Sequence, residues 1–167
     1  SFSFYLNRKF GIATSNGTSA IELALKALGV NKKSKVIIPD WTFSATANAV
    51  LSIGAELVLC DINNRDFSIC IDSLKKLIVK HTNIDAIILV YPLGWAYDTK
   101  EIYNLANENK IQIIEDAAGA IGSKFNQNLV GSHGKIVTFS FNGNKIITCG
   151  GGGIVLTDQE EIADKLK

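Results

Sequence analysis

Lys145 lies in the run Ser140-Phe141-Asn142-Gly143-Asn144-Lys145, directly after the apolar stretch Ile136 to Phe141. Partial removal from water lowers the pKa of such an amine and makes it usable as a nucleophile and proton carrier. Asp116 emerges in Glu115-Asp116-Ala117-Ala118-Gly119, just past the apolar run Ile111 to Ile114. A carboxylate in that position can hold a cation or a protonated ring nitrogen, and it can equally cap the turn that follows. Near the start, Thr14-Ser15-Asn16-Gly17-Thr18-Ser19 is a small polar turn feeding a helical pattern. Its free backbone N–H groups, at the positive end of a helix dipole with hydroxyls alongside, make either a phosphate-type site or a plain N-cap with nothing bound.

Other groups offer less. The four glycines Gly150 to Gly153 precede an apolar run instead of following one, so they are not a dinucleotide fingerprint. They permit either close backbone approach or a flexible turn. His81 and His133 stand singly in polar turns and take no role. Cys60, Cys70 and Cys149 are an odd number without CxxC spacing, which gives neither a zinc pattern nor a disulfide framework and fits a reducing cytoplasm.

The elements that must position these groups alternate. Val36 to Ile38, Leu57 to Leu59, Ala86 to Val90, Ile111 to Ile114, Ile136 to Phe141 and Gly153 to Leu156 are short Ile/Val-rich runs suited to buried strands. Ser19 to Leu28, Thr42 to Ile53, Ile71 to Val79 and Thr99 to Glu108 put Ile, Leu and Ala on one helical face. The residues after Thr157 look like the first turns of another helix. This order predicts an α/β fold, a mainly parallel sheet between layers of helices, with ligands beyond the carboxyl ends of the strands.

With 167 residues, 47% hydrophobic and 20% charged, one domain with a sizeable core is expected. A formal net charge of +1 gives no electrostatic reason to expect nucleic acid or an anionic membrane as partner. The opening residues lack a signal-peptide pattern, and no run approaches the roughly 18 apolar residues of a membrane span.

Taken together, the polar turn, the strand-end carboxylate and the lysine are the three anchors that pyridoxal 5'-phosphate needs for its phosphate, ring nitrogen and aldehyde. The chain resembles the DegT/DnrJ/EryC1/StrS family of fold-type-I, pyridoxal-phosphate-dependent nucleotide-sugar aminotransferases from about Gly11 to Lys167. Ser15-Asn16-Gly17-Thr18-Ser19-Ala20 matches the SSGTxA turn, and the segment Pro39 to Ala49 matches PxxTFxATANA. Glu115 to Ala118 matches EDAA, and Ser140 to Lys145 matches SFxxxK. The resemblance implies that Gly17, Thr18 and Ser140 hold the cofactor phosphate, Phe43 stacks on the ring, Asp116 pairs with its nitrogen and Lys145 forms the Schiff base. It further implies transfer of an amino group from a donor such as glutamate to a nucleotide-linked keto-deoxy sugar in bacterial surface-glycan or related biosynthesis.

The chain departs from the pattern in three places. Gly119 stands where many members have Gln or His, Tyr91 where many have His, and Gly151 where GEGG has its acid. Family members also continue into a smaller carboxyl-terminal domain and act as homodimers. Residues 1–167 are accordingly expected to be the cofactor-binding large domain, truncated before that second domain. Two rival readings follow: a cofactor-binding or non-catalytic fragment, and a plain nucleotide-binding α/β domain, which would leave Lys145 and Asp116 unexplained as a pair.

Overall fold

A computed structural model describes residues 1–167. The apolar runs form strands β1 (Phe10–Thr14), β2 (Lys35–Pro39), β3 (Glu56–Cys60), β4 (Ile84–Val90) and β5 (Gln112–Asp116). A small hairpin, β6 (Lys124–Phe125) and β7 (Asn128–Leu129), precedes β8 (Ile136–Ser140) and β9 (Gly153–Thr157). Helices are α1 (Phe2–Tyr5), α2 (Gly17–Ala27), α3 (Ser44–Ser52), α4 (Ile71–Lys80), α5 (Lys100–Glu108) and α6 (Glu160–Lys165). None is long and apolar enough to cross a membrane.

Seven strands form one sheet in the order β1-β9-β8-β5-β4-β2-β3. Those from β3 to β8 run parallel, whereas β9 is antiparallel to both β8 and β1. The expected mainly parallel sheet is therefore present, with one reversed strand. Its reversal follows from the β8–β9 connection, which contains no helix to carry the chain back across the sheet.

Alternation along the strands divides the core into two layers. Ile37, Ile87, Leu89, Ile113, Val137 and Phe139 face Leu74 of α4 and Ile102 and Ala106 of α5. Their chain neighbours Val36, Ile38, Ile88 and Ile114, with Val155 of β9, face Ala24 and Leu25 of α2, Val50 of α3 and Ile162 of α6. The same period-two rule sends Glu115 to the first face and Asp116 to the second.

Four features were absent from the sequence pattern: α1, β1, the β6–β7 hairpin and the short 3-10 turn Pro92–Gly94. Helix α2 begins two residues before its apolar pattern because the Asn16 side chain accepts from the Ser19 N–H at 2.8 Å and starts the helix at Gly17. Helix α3 begins at Ser44, which leaves Thr42 and Phe43 in the turn that precedes it.

Arg8 ties the chain start to this frame. Its buried guanidinium donates to the carbonyls of Gly131 (3.0 Å), Gly134 (2.8 Å) and His133, and its Nε lies 3.1 Å from Asp158 Oδ2. Removing it leaves the buried Gly131 carbonyl and two partly buried ones without their donor, while half-exposed Asp158 regains water. Arg8→Ala is expected to lower stability by about 2–4 kcal/mol, read as a fall in the urea midpoint.

Candidate active site

Four chain segments converge at the carboxyl ends of β5 and β8. Gly17, Thr18, Phe43, Asp116, Ser140 and Lys145 all line one cavity of about 220 Å³. A second cavity of about 560 Å³ shares Phe43, Asp116 and Lys145 and opens toward Trp41, Leu93 and Gly119.

The phosphate-type wall is made by close packing. A Cβ on Gly17 would stand 2.8 Å from the Ser140 Cβ, so only glycine lets the start of α2 sit against the end of β8. The N–H groups of Gly17 and Thr18 belong to the first turn of α2 and have no intrahelical acceptor, and they open beside the Thr18 and Ser140 hydroxyls. The N-cap and anion-site readings of this turn are thus compatible: Asn16 caps from one side and leaves the helix mouth clear.

The glycine run serves close approach. A Cβ on Gly153 would lie 2.5 Å from the Asn16 carbonyl oxygen, and the Gly152 N–H donates to the Ser15 carbonyl at 2.9 Å. The strand after the lysine loop is thereby pressed against the turn that opens α2.

Asp116 is buried at the end of β5. Its Oδ2 accepts from the Thr46 hydroxyl at 2.8 Å and its Oδ1 from the Ala118 N–H at 3.2 Å. The second bond is the turn cap expected of an aspartate here, yet the side chain still borders the cavity. Burial pushes its carboxyl up from the ordinary value, while the Thr46 hydroxyl, the Ala118 N–H and the Lys145 charge pull it back.

Lys145 comes from the loop between β8 and β9, and its Nζ lies 5.9 Å from the centroid of the Phe43 ring. That ring is 74% exposed, held at the cavity edge with a face free for stacking. An amine, a buried carboxylate, free helix-start N–H groups and an exposed aromatic face thus surround one space, the donor set suited to a phosphorylated, ring-nitrogen-bearing aldehyde. No group of three His, Cys, Asp or Glu could hold a metal ion.

The departures have structural consequences. Tyr91 sends its hydroxyl behind the sheet, donating to Glu115 Oε2 at 2.9 Å, and the Tyr103 hydroxyl donates to Oε1. Glu115, whose carboxyl burial pushes up, is therefore held away from Asp116 on the opposite face. Gly119 would accept a Cβ without strain, since the added atom would make only an ordinary contact, at 3.6 Å to the Gly94 nitrogen. His133 lies at the separate cavity behind Glu115 and His81 at the carboxyl end of α4, both outside the site. Thr42, Thr46 and Asn144 belong to the site's surroundings without having stood out in the sequence.

Known proteins resemble this chain along nearly its whole length. The chain is 37% identical over 164 residues to GDP-perosamine synthase from Vibrio cholerae, covering 98% of this chain and 44% of that protein. It is 39% identical over 158 residues to UDP-N-acetyl-3-dehydro-alpha-D-glucosamine 3-aminotransferase from Acidithiobacillus ferrooxidans, covering 94% and 42%. Among solved structures, NtdA from Bacillus subtilis with bound cofactor PMP superposes with a TM-score of 0.91 at 39% identity, over 99% of this chain and 37% of that one. The chain thus spans less than half the length of these relatives. The family model for DegT/DnrJ/EryC1/StrS aminotransferases matches residues 1–167, and the chain belongs to that family.

Proposed function

We propose that this chain is the cofactor-binding domain of a pyridoxal-phosphate-dependent aminotransferase that passes an amino group from an amino-acid donor, glutamate, to a nucleotide-linked keto-deoxy sugar. The observation that carries this reading is the convergence of Lys145, Asp116, Phe43 and the Gly17–Thr18 helix start, with Ser140, on one cavity. The names of the sugar-aminotransferase relatives support the substrate class.

When bound, the cofactor supplies an aldehyde that bonds an amine and a protonated ring that draws electrons from the carbon losing its proton. The N–H groups of Gly17 and Thr18 and the hydroxyls of Thr18 and Ser140 bind the phosphate. Asp116 holds the proton on the ring nitrogen, and the Phe43 ring covers one face. Lys145 Nζ would hold the aldehyde carbon covalently, water being lost, and when free as an amine would serve as the base and acid that moves the donor's alpha proton.

Exposed Phe43, Leu93 and Ile146 line the larger cavity, and exposed Ile147 follows in the lysine loop, which supports a homodimer closing over the site. Three free thiols suit the cytoplasm, the compartment we assign.

Borohydride treatment of the protein with pyridoxal phosphate, followed by peptide mapping, tests the assignment. One adduct on Lys145 supports it, and an adduct on another lysine with none on Lys145 overturns it. Gly17→Ala drives a methyl group toward Ser140 and opens the phosphate wall. Cofactor affinity, measured by equilibrium dialysis, is expected to weaken about tenfold or more, in line with overpacking of roughly 1–3 kcal/mol.

A further inference from the structure

Asp116 does not meet the helix layer as a bare carboxylate. Thr46, wholly buried in the first turn of α3, donates to its Oδ2, and Thr42 Oγ1 lies 2.9 Å from Thr46 Oγ1. A threonine hydroxyl has one hydrogen. Since Thr46 gives its hydrogen to Asp116, the Thr42 hydroxyl must donate to Thr46, and Thr42 itself lines the larger cavity. A directional chain of hydroxyls therefore runs from the cavity wall to the buried acid.

We propose that Thr46, backed by Thr42, is the positioning residue that fixes the Asp116 carboxylate in its plane and keeps it ionised to accept the hydrogen bond of a protonated ring nitrogen. The Ala118 N–H holds the other oxygen, so the carboxylate cannot rotate without breaking one bond or the other. The chain also has a sense. An ionised Asp116 orders the hydroxyls toward itself, whereas a protonated one would have to donate to Thr46 and reverse both. Lys145 is the one charged group acting on Asp116, and from α3 and the turn after β5 it meets only the uncharged donors Thr46 and Ala118. The role assigned to Asp116 rests on the proposed function; the hydroxyl chain rests on this geometry alone.

The test is an infrared titration of the cofactor-free, full-length protein, following the carboxyl band that Asp116→Asn removes. Thr46 stabilises the charged form, so its loss raises the Asp116 midpoint. Thr46→Val, of nearly equal volume, is expected to raise it by about one pH unit or more, as loss of a hydrogen bond to a charged group implies. Thr46→Ser should restore the wild-type midpoint, and Thr42→Val should shift it upward by less. An unmoved midpoint in Thr46→Val, or a shift that Thr46→Ser does not reverse, overturns the proposal. Should Thr46→Val fail to fold, Thr42→Val decides, since no upward shift there overturns the chain. Because the midpoint is read without cofactor, a shifted midpoint with no Lys145 adduct would overturn the catalytic reading and leave this one standing.

Discussion

Lys145→Ala is expected to abolish the borohydride-fixed adduct and to lower amino transfer by roughly 10⁴-fold or more, because one side chain serves as both nucleophile and proton carrier. The fold should survive. Lys145 sits in the β8–β9 loop, makes no side-chain hydrogen bond or ion pair, and belongs to neither core layer. Thermal unfolding of the variant should accordingly match the parent within about 0.5 kcal/mol, as for substitutions away from packed or paired groups. Phosphate-driven binding of the cofactor should persist, since the Gly17–Thr18 wall is untouched. An amine such as ethylamine, added to the solution, should restore part of the lost rate. A variant retaining more than a few per cent of activity would remove Lys145 from the role given to it.

The second large effect is expected at Asp116. Asp116→Asn keeps the shape and an oxygen able to accept from Thr46, but it removes the charge that holds a proton on the ring nitrogen. Turnover should fall by about 10²–10³-fold, the scale for losing one preorganised electrostatic contact at developing charge. Cofactor affinity should change far less, because the phosphate is held elsewhere. That separation of rate from binding is the signature of a group acting mainly in the transition state. Equal losses in both would show that Asp116 only anchors the ligand. Asp116→Ala is a poorer probe, since it also leaves the Thr46 hydroxyl and the Ala118 N–H without their acceptor.

Much of this was legible in the residues. The Ile/Val runs located six of the seven strands of the main sheet, because a strand covered on both faces must be apolar throughout. The four motifs likewise identified six residues that line one cavity. What stayed hidden depends on partners distant in the chain. Phe10 to Thr14 carries too little apolar signal to be recognised as a strand and becomes one only by pairing with β9. Tyr91 is legible as a departure, but the direction of its hydroxyl is decided by Glu115, whose face follows from β5 alternation. Thr46 lies among the small residues of a helical pattern, where a threonine looks like ordinary packing. Only the position of Asp116 across the layer reveals that its hydroxyl is used.

The pairing of β1 with β9 joins segments far apart in the sequence, Phe10 to Thr157, and Gly153 of β9 presses on Asn16 at the start of α2. Such a contact carries a high loop-closure entropy and forms late compared with the local helices and the adjacent β2–β3 pair. During synthesis the phosphate wall therefore cannot close until β9 has left the ribosome, well after Gly17 and Thr18 have. Ligand capture becomes a report that β9 has joined the sheet, and by mass action it holds β1 and β9 together.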